Sequence, residues 1–192
     1  MNNTAIIHFF TIYLQVEFVE IYIHMNQNHN TATVTMRQIK PADQHPLAKL
    51  IQSVFEEYGA PLVNTVYDDP RTWHIYEEME KEKAGYWVIE CDGEVTGGCG
   101  YYPTEGLPEG YAEIVKFYLS PLVRGKGYGT RLFQYVIEEA RKAGYKHLYI
   151  ESFAEFADAI RMYSRRGFTE LSSRLGNSGH TATTIHMKLD LF

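Results

Sequence analysis

Apolar residues in this chain follow two rhythms, one of three to four residues and one of two, and the switches between them mark out the elements. Leu47, Leu50, Ile51, Val54, Phe55 and Tyr58 are spaced three and four apart, which predicts a helix with one apolar face. Pro46 suits its first turn, Gly59 the position just past its end, and Asp43 or Gln44 its N-cap. The same spacing runs from Leu132 to Ala140 and closes at Gly144. Phe156, Ala159, Ile160 and Tyr163 share one face of a short helix from Glu155 to Arg166. A thinner pattern of Trp73, Tyr76 and Met79 among many charges predicts another helix over 71–83.

Strands are expected at Thr33–Lys40, Gly85–Cys91, Glu94–Tyr102, Tyr111–Leu119, His147–Ser152, Gly167–Leu171 and Thr184–Leu189. Asp92-Gly93 is a hairpin turn, and Gly97, Gly98 and Gly100 mark a bulge or a close approach within a strand. The order is strand, two helices, three strands, helix, strand, helix, two strands. It predicts an α+β fold with a mixed sheet and helices on both faces.

Residues 5–25 are apolar and β-prone, but the first basic side chain other than histidine is Arg37, so a secretory leader lacks its charged front. A spanning helix here would carry Glu17, Glu20 and two histidines, which argues against a membrane role. The polar run Asn26–Thr31 sets a boundary between an extension, 1–32, and a domain, 33–192. The extension is read as an extra element or an over-long start. At 192 residues, with 45% hydrophobic and 22% charged, the chain has the make-up of a soluble globular protein. A net charge of −6 excludes a general nucleic-acid binder. Two cysteines, Cys91 and Cys99, form neither a disulfide framework nor a zinc pattern and fit a reducing cytoplasm; Cys99 reads as a buried strand residue. The eight histidines show no paired metal spacing, and His180 and His186 are read as non-ligands, so no metal is expected.

The chemistry gathers at Arg124-Gly125-Lys126-Gly127-Tyr128-Gly129-Thr130, a glycine-rich turn between a predicted strand and a predicted helix. Alternate glycines bare the backbone, and the first N–H groups of a helix lack partners inside it, so the turn suits a phosphate. The run matches neither a P-loop nor the full Rossmann fingerprint, since Thr130 stands where the third Rossmann glycine belongs. It does resemble the Arg-x-x-Gly-x-Gly pyrophosphate motif of the GNAT superfamily of acetyl-CoA-dependent N-acetyltransferases. Ala159-Ile160-Arg161-Met162-Tyr163-Ser164-Arg165-Arg166-Gly167-Phe168 is similar to that family's Ala-x-x-x-Tyr-x-x-x-Gly-Phe segment. Tyr111-Ala112-Glu113-Ile114-Val115 is similar to its strand bearing a basic glutamate, with Glu113 eleven residues before Arg124.

The resemblance covers about residues 33–190 by element order and is sharpest over 113–168. It implies a mostly antiparallel sheet of six to seven strands with a splay between two central parallel strands. It implies acetyl-CoA as co-substrate, with the diphosphate on Gly125–Thr130, charge from Arg124, and the pantetheine arm along Phe117, Tyr118 and Leu119. Those strand N–H groups would also face the thioester oxygen. Lys126 either adds charge or is an exposed loop cation. Tyr163 would protonate the leaving thiolate, or else only pack its helix. Glu113 would take the proton of the attacking amine, directly or through water; or else it stands at the rim and attracts a cation, or the amine loses its proton to bulk water. One departure is the absence of the family's asparagine before the tyrosine, where this chain has Glu155-Phe156-Ala157-Asp158.

The implied acceptor is a primary amine on a small molecule or a protein, held by about residues 58–76 and 172–182. Tyr58, Tyr67, Trp73, Asp68 and Asp69 are either an aromatic and acidic pocket for a cation or core residues and caps. The alternative to an enzyme is a non-catalytic acyl-CoA-binding module; retention of both Glu113 and Tyr163 favours the enzyme. The expected location is cytoplasmic, and a homodimer is left open.

Overall fold

The computed structural model describes residues 21–23 and 32–192. One sheet carries eight strands: β1 (Ile21–Ile23), β2 (Val34–Gln38), β3 (Gly85–Cys91), β4 (Glu94–Tyr102), β5 (Tyr111–Leu119), β6 (His147–Ser152), β7 (Thr169–Glu170) and β8 (Ile185–Asp190). Their spatial order is β1-β2-β3-β4-β5-β6-β8-β7, and the pair β5–β6 is parallel while the other neighbours are antiparallel. The fold is therefore the α+β mixed sheet that the element order predicts. Seven strands arise within 33–192, and β1 adds an eighth by pairing Ile21 with Met36 and Ile23 with Val34. The rest of the apolar stretch and the Asn26–Thr31 linker lie outside the described residues. Among the described residues, no helix is long and apolar enough to cross a membrane.

Helix α1 (Gln44–Tyr58) buries Leu47, Ile51, Val54 and Phe55 against Tyr86 and Val88 on one face of the sheet. It ends at Gly59 with φ 63°, the left-handed stop for which glycine is suited. The carboxylate of Asp43 does not cap α1. It accepts from the Lys40 N–H and pairs with the Arg37 guanidinium at 2.6 Å. Helix α3 (Tyr128–Lys142) covers the other face, seating Leu132, Phe133, Val136 and Ile137 in a core with Ile89, Cys99 and Ile114. Alternation along β3, with Val88 to one side and Ile89 to the other, joins the two cores.

The helix expected over 71–83 is replaced by a 3-10 turn at Pro70–His74 and the single turn α2 (Ile75–Glu78). From this segment Thr72 and Ile75 are buried, while Trp73 packs its ring on His45 at 5.8 Å. Such a sparse apolar face cannot hold a longer helix in water. Helix α4 (Ala157–Arg165) follows a 3-10 turn at Ala154–Phe156, and β7 keeps two residues of the expected strand.

Two irregularities in β5 open the sheet. First, β5 and β6 pair from Tyr111–His147 to Glu113–Tyr149 and then part, although both strands continue. Second, Gly98 faces Tyr118 while Gly100 faces Val115, so β5 carries one more residue than β4 across this step. The extra residue falls at Lys116, whose φ of 50° is left-handed. Tyr86 lies across β4 and donates its hydroxyl to the Lys116 carbonyl at 2.7 Å. A Cβ at Gly98 would sit 2.5 Å from that hydroxyl, so glycine is required where the tyrosine crosses. The glycine run of β4 thus makes room for the side chain that braces the bulge of β5.

Candidate active site

A cleft of about 900 Å³ opens where β5 and β6 part. One end is formed by the glycine-rich turn and the start of α3. Gly125 (φ 70°) and Gly127 (φ 83°) are left-handed, and a Cβ on either would meet nothing within 4 Å. Gly129 has a different reason: its Cβ would fall 2.4 Å from Leu119 Cδ1, so glycine there lets α3 press onto β5. The N–H groups of Gly125 through Thr130 make no well-formed hydrogen bond to a partner among the described residues. They form a row of donors at the positive end of a helix.

Arg124 donates Nε to the Leu119 carbonyl at 2.8 Å, tying the turn to the end of β5. The rest of its guanidinium forms a bidentate pair with Glu57 at 2.6 and 2.8 Å, so in this state its charge is engaged. Lys126 donates to the Leu122 carbonyl at 2.8 Å. Arg124, Gly125, Gly127, Gly129 and Thr130 line the cleft, while Lys126 and Tyr128 do not; Tyr128 packs against the core behind it.

Phe117, Tyr118 and Leu119 form the middle of the cleft wall. On one side Tyr118 and Leu119 pair with β4. Their other edge, beyond Glu113, has no strand beside it among the described residues, because β6 has turned away. Tyr163 of α4 lines the same region, its ring held by Phe133 at 5.2 Å, Phe168 at 6.0 Å and Phe117 at 6.4 Å. Its hydroxyl makes no hydrogen bond among the described residues, and burial pushes its pKa well above the ordinary tyrosine value. Cys99 is buried behind β5, and burial likewise holds its thiol well above the ordinary range.

At the other end stands Glu113, at the last paired rung of β5 and β6. It is 5% exposed, and its carboxyl accepts a hydrogen bond from the Thr104 hydroxyl. Burial, reinforced by the nearby charge of Glu151, pushes its pKa up to about 7. Lys116 is swung into the cleft by the bulge, with Nζ 3.2 Å from Thr72 Oγ1, and burial lowers its pKa to about 8. Other charges at this end are paired, apart from Glu105, which is exposed to water. Burial raises the pKa of Asp69, but hydrogen bonds from His180 (2.9 Å) and Arg71 (3.0 Å) outweigh it and hold the carboxyl well below the ordinary range. Glu151 accepts from Ser178 at 2.8 Å and Thr183 at 3.0 Å, with Arg174 3.4 Å away.

The structure therefore gathers Glu113, Tyr163, Phe117–Leu119 and most of the glycine turn around one cleft. Of the residues considered for an aromatic and acidic pocket, Tyr58 and Asp69 line it. Asp68 instead accepts from the N–H groups of Asn64 and Thr65, and Tyr67 bonds Glu56 at 2.8 Å. Where an asparagine was looked for, Phe156 fills the core against Phe55 and Asp158 pairs with Arg161. The sequence reading did not single out Lys116, Glu151 or Thr104 as site residues. Lys116 and Glu151 did leave a trace, as charged residues inside strands of mostly apolar and aromatic residues.

The model of the acetyltransferase (GNAT) family matches residues 48–168. The uncharacterized N-acetyltransferase YjgM of Escherichia coli (strain K12) is 35% identical over 158 residues, covering 81% of this chain and 94% of the relative. The IAA acetyltransferase of Azospirillum brasilense is 28% identical over 137 residues, 70% of this chain and 87% of the relative. Among solved structures, yncA of Salmonella typhimurium with its cofactor acetyl-CoA superposes with a TM-score of 0.66 at 22% identity. That match covers 83% of this chain and 94% of the other, and the likeness is one of fold.

Proposed function

The chain belongs to the acetyltransferase (GNAT) family and is an acyltransferase, and from that premise we propose that it moves the acetyl group of acetyl-CoA to a primary amine by direct attack within a ternary complex. The observation that carries this reading is the continuous cleft. It joins a row of free main-chain donors at Gly125–Thr130 to a buried carboxyl with a pKa near neutrality and a tyrosine hydroxyl without a partner.

The donor row fits a diphosphate in shape as well as charge: the space beside Gly125 and Gly127 is open, so phosphate oxygens can reach the N–H groups. Acetyl-CoA, when bound, supplies the activated acetyl group as a thioester. The free edge of β5 from Phe117 to Leu119 would align the pantetheine arm, and its N–H groups would meet the charge that develops on the carbonyl oxygen. Glu113 takes the proton of the arriving ammonium, a task matched to a carboxyl pushed up to about 7. Tyr163 returns a proton to the departing sulfur; burial favours its protonated form. Transfer through an enzyme thiol is disfavoured because Cys99 is fully buried and absent from the cleft wall. Residues 33–192 would make up the acetyltransferase domain, with β1 an addition from the extension.

The test is a panel of amines with thiol release as readout, beside acetyl-CoA binding by calorimetry. The reading expects stoichiometric coenzyme A and N-acetyl product from at least one amine. Acetyl-CoA that binds yet yields no product with any amine would overturn it.

A further inference from the structure

We propose, resting on the amine-transfer reading above, that the acceptor end of the cleft is a two-point site for a small amino acid, whose amine faces Glu113 and whose carboxylate faces Lys116. Along that end, Arg71 pairs with Asp69 at 2.8 Å, His180 with Asp69 at 2.9 Å, and Lys81 with Glu78 at 3.2 Å. Glu151 has Arg174 and three hydroxyls, those of Ser178, Thr183 and Tyr149. Glu113 and Lys116 remain, together with Glu105, which is exposed to water. For hydrogen bonds Glu113 has only the Thr104 hydroxyl and Lys116 only the Thr72 hydroxyl; among the described residues no contact ion pair joins either, and Asp69 and Glu113 act on the Lys116 ammonium only across a gap.

Both groups are costly where they stand. An unpaired charge in a partly desolvated wall is unfavourable, and an apolar side chain would fill either position more cheaply. Lys116 also holds a left-handed backbone, which is unfavourable for a non-glycine residue. The bulge itself does not need that side chain: Tyr86 braces it through the Lys116 carbonyl, and glycine would take the same φ without strain. What the lysine side chain adds is an ammonium in the cleft wall, held by the Thr72 hydroxyl.

A ligand with one cationic and one anionic group relieves both costs together. A simple amine satisfies Glu113 but leaves the Lys116 ammonium unpaired and repelled by the incoming cation. A lysine side chain or a peptide N-terminus carries no carboxylate beside its amine. An amino acid does, and anchoring its carboxylate on Lys116 turns the amine toward the base and the coenzyme end of the cleft.

The experiment compares free amino acids with their carboxamides and with the decarboxylated amines, following thiol release. The free acids are expected to have kcat/KM roughly tenfold or more above the carboxamides, the value of one charge-assisted contact. In Lys116→Met that ratio should fall to about one. Lys116→Gly, which relieves the backbone strain and so guards against a folding artefact, should show the same collapse. Calorimetry of N-acetyl amino acids against neutral N-acetyl amines on the coenzyme A-loaded protein reads the subsite without turnover and should show the same preference. Equal use of acids and amides, a preference for peptide N-termini, or a ratio preserved in both variants would overturn the subsite while leaving amine transfer intact. Failure to bind acetyl-CoA at all would strike the transfer reading instead, and a carboxylate preference among the N-acetyl ligands on the free protein would still decide the subsite.

Discussion

Replacing Glu113 by glutamine should make the protein more stable and less active, with both effects set by pH. In the folded chain the carboxyl titrates near 7, against 4.5 for an ordinary glutamate. Between those values the folded state keeps a proton that the unfolded chain has released. Stability must therefore fall as pH rises from 4.5 through 7, and the loss is complete above 7. At about 1.36 kcal/mol per pH unit the gap corresponds to roughly 3 kcal/mol, an upper figure for a site that opens to a cleft. Glu113→Gln keeps the shape of the protonated acid and the contact with Thr104, so it removes that loss. Urea melts at pH 5 and pH 8 would read it. The variant should match the parent at pH 5 and exceed it by about 2–3 kcal/mol at pH 8. The kcat/KM profile of the parent should carry an acidic limb near pH 7, and the variant should lose that limb along with most of the rate. A stability difference independent of pH, or a variant that keeps the limb, would refute the assignment of a buried base.

Two further variants probe the coenzyme end. Tyr163→Phe should lower kcat by about 10²-fold or more, the usual scale of general acid catalysis, while calorimetric acetyl-CoA affinity holds; an unchanged kcat would remove the acid role. Gly129→Ala should cost about 1–3 kcal/mol in a urea melt, because its Cβ would press on Leu119, and Gly127→Ala should cost about 1–2 kcal/mol for its φ of 83° alone. Equal and negligible costs would contradict the close seating of α3 on β5.

What the sequence made legible was whatever depends on local chemistry. Period and punctuation located α1 and α3, because Gly59 and Gly144 mark their ends and their apolar faces are unbroken. The turn at 124–130 could be read as a donor row since its glycines and the following helix lie within one short stretch. The bulge was harder. Val115-Lys116-Phe117 reads as uninterrupted strand, and the extra residue exists only relative to β4, with Tyr86 bracing it from another strand. The acceptor end was hidden for the same reason: Glu151 meets Ser178 and Thr183, and Asp69 meets His180, only once the loops have folded together. The over-long helix at 71–83 shows the opposite error, helical spacing without enough buried surface behind it.

The most direct trial of the coenzyme site is a crystal structure of the protein soaked with coenzyme A. The diphosphate oxygens should lie within hydrogen-bond reach of the main-chain amides from Gly125 to Thr130, with the pantetheine beside Phe117–Leu119 and the sulfur at the Tyr163 hydroxyl. Density for coenzyme A elsewhere, or a sulfur on the far side of the cleft from Tyr163, would contradict the account.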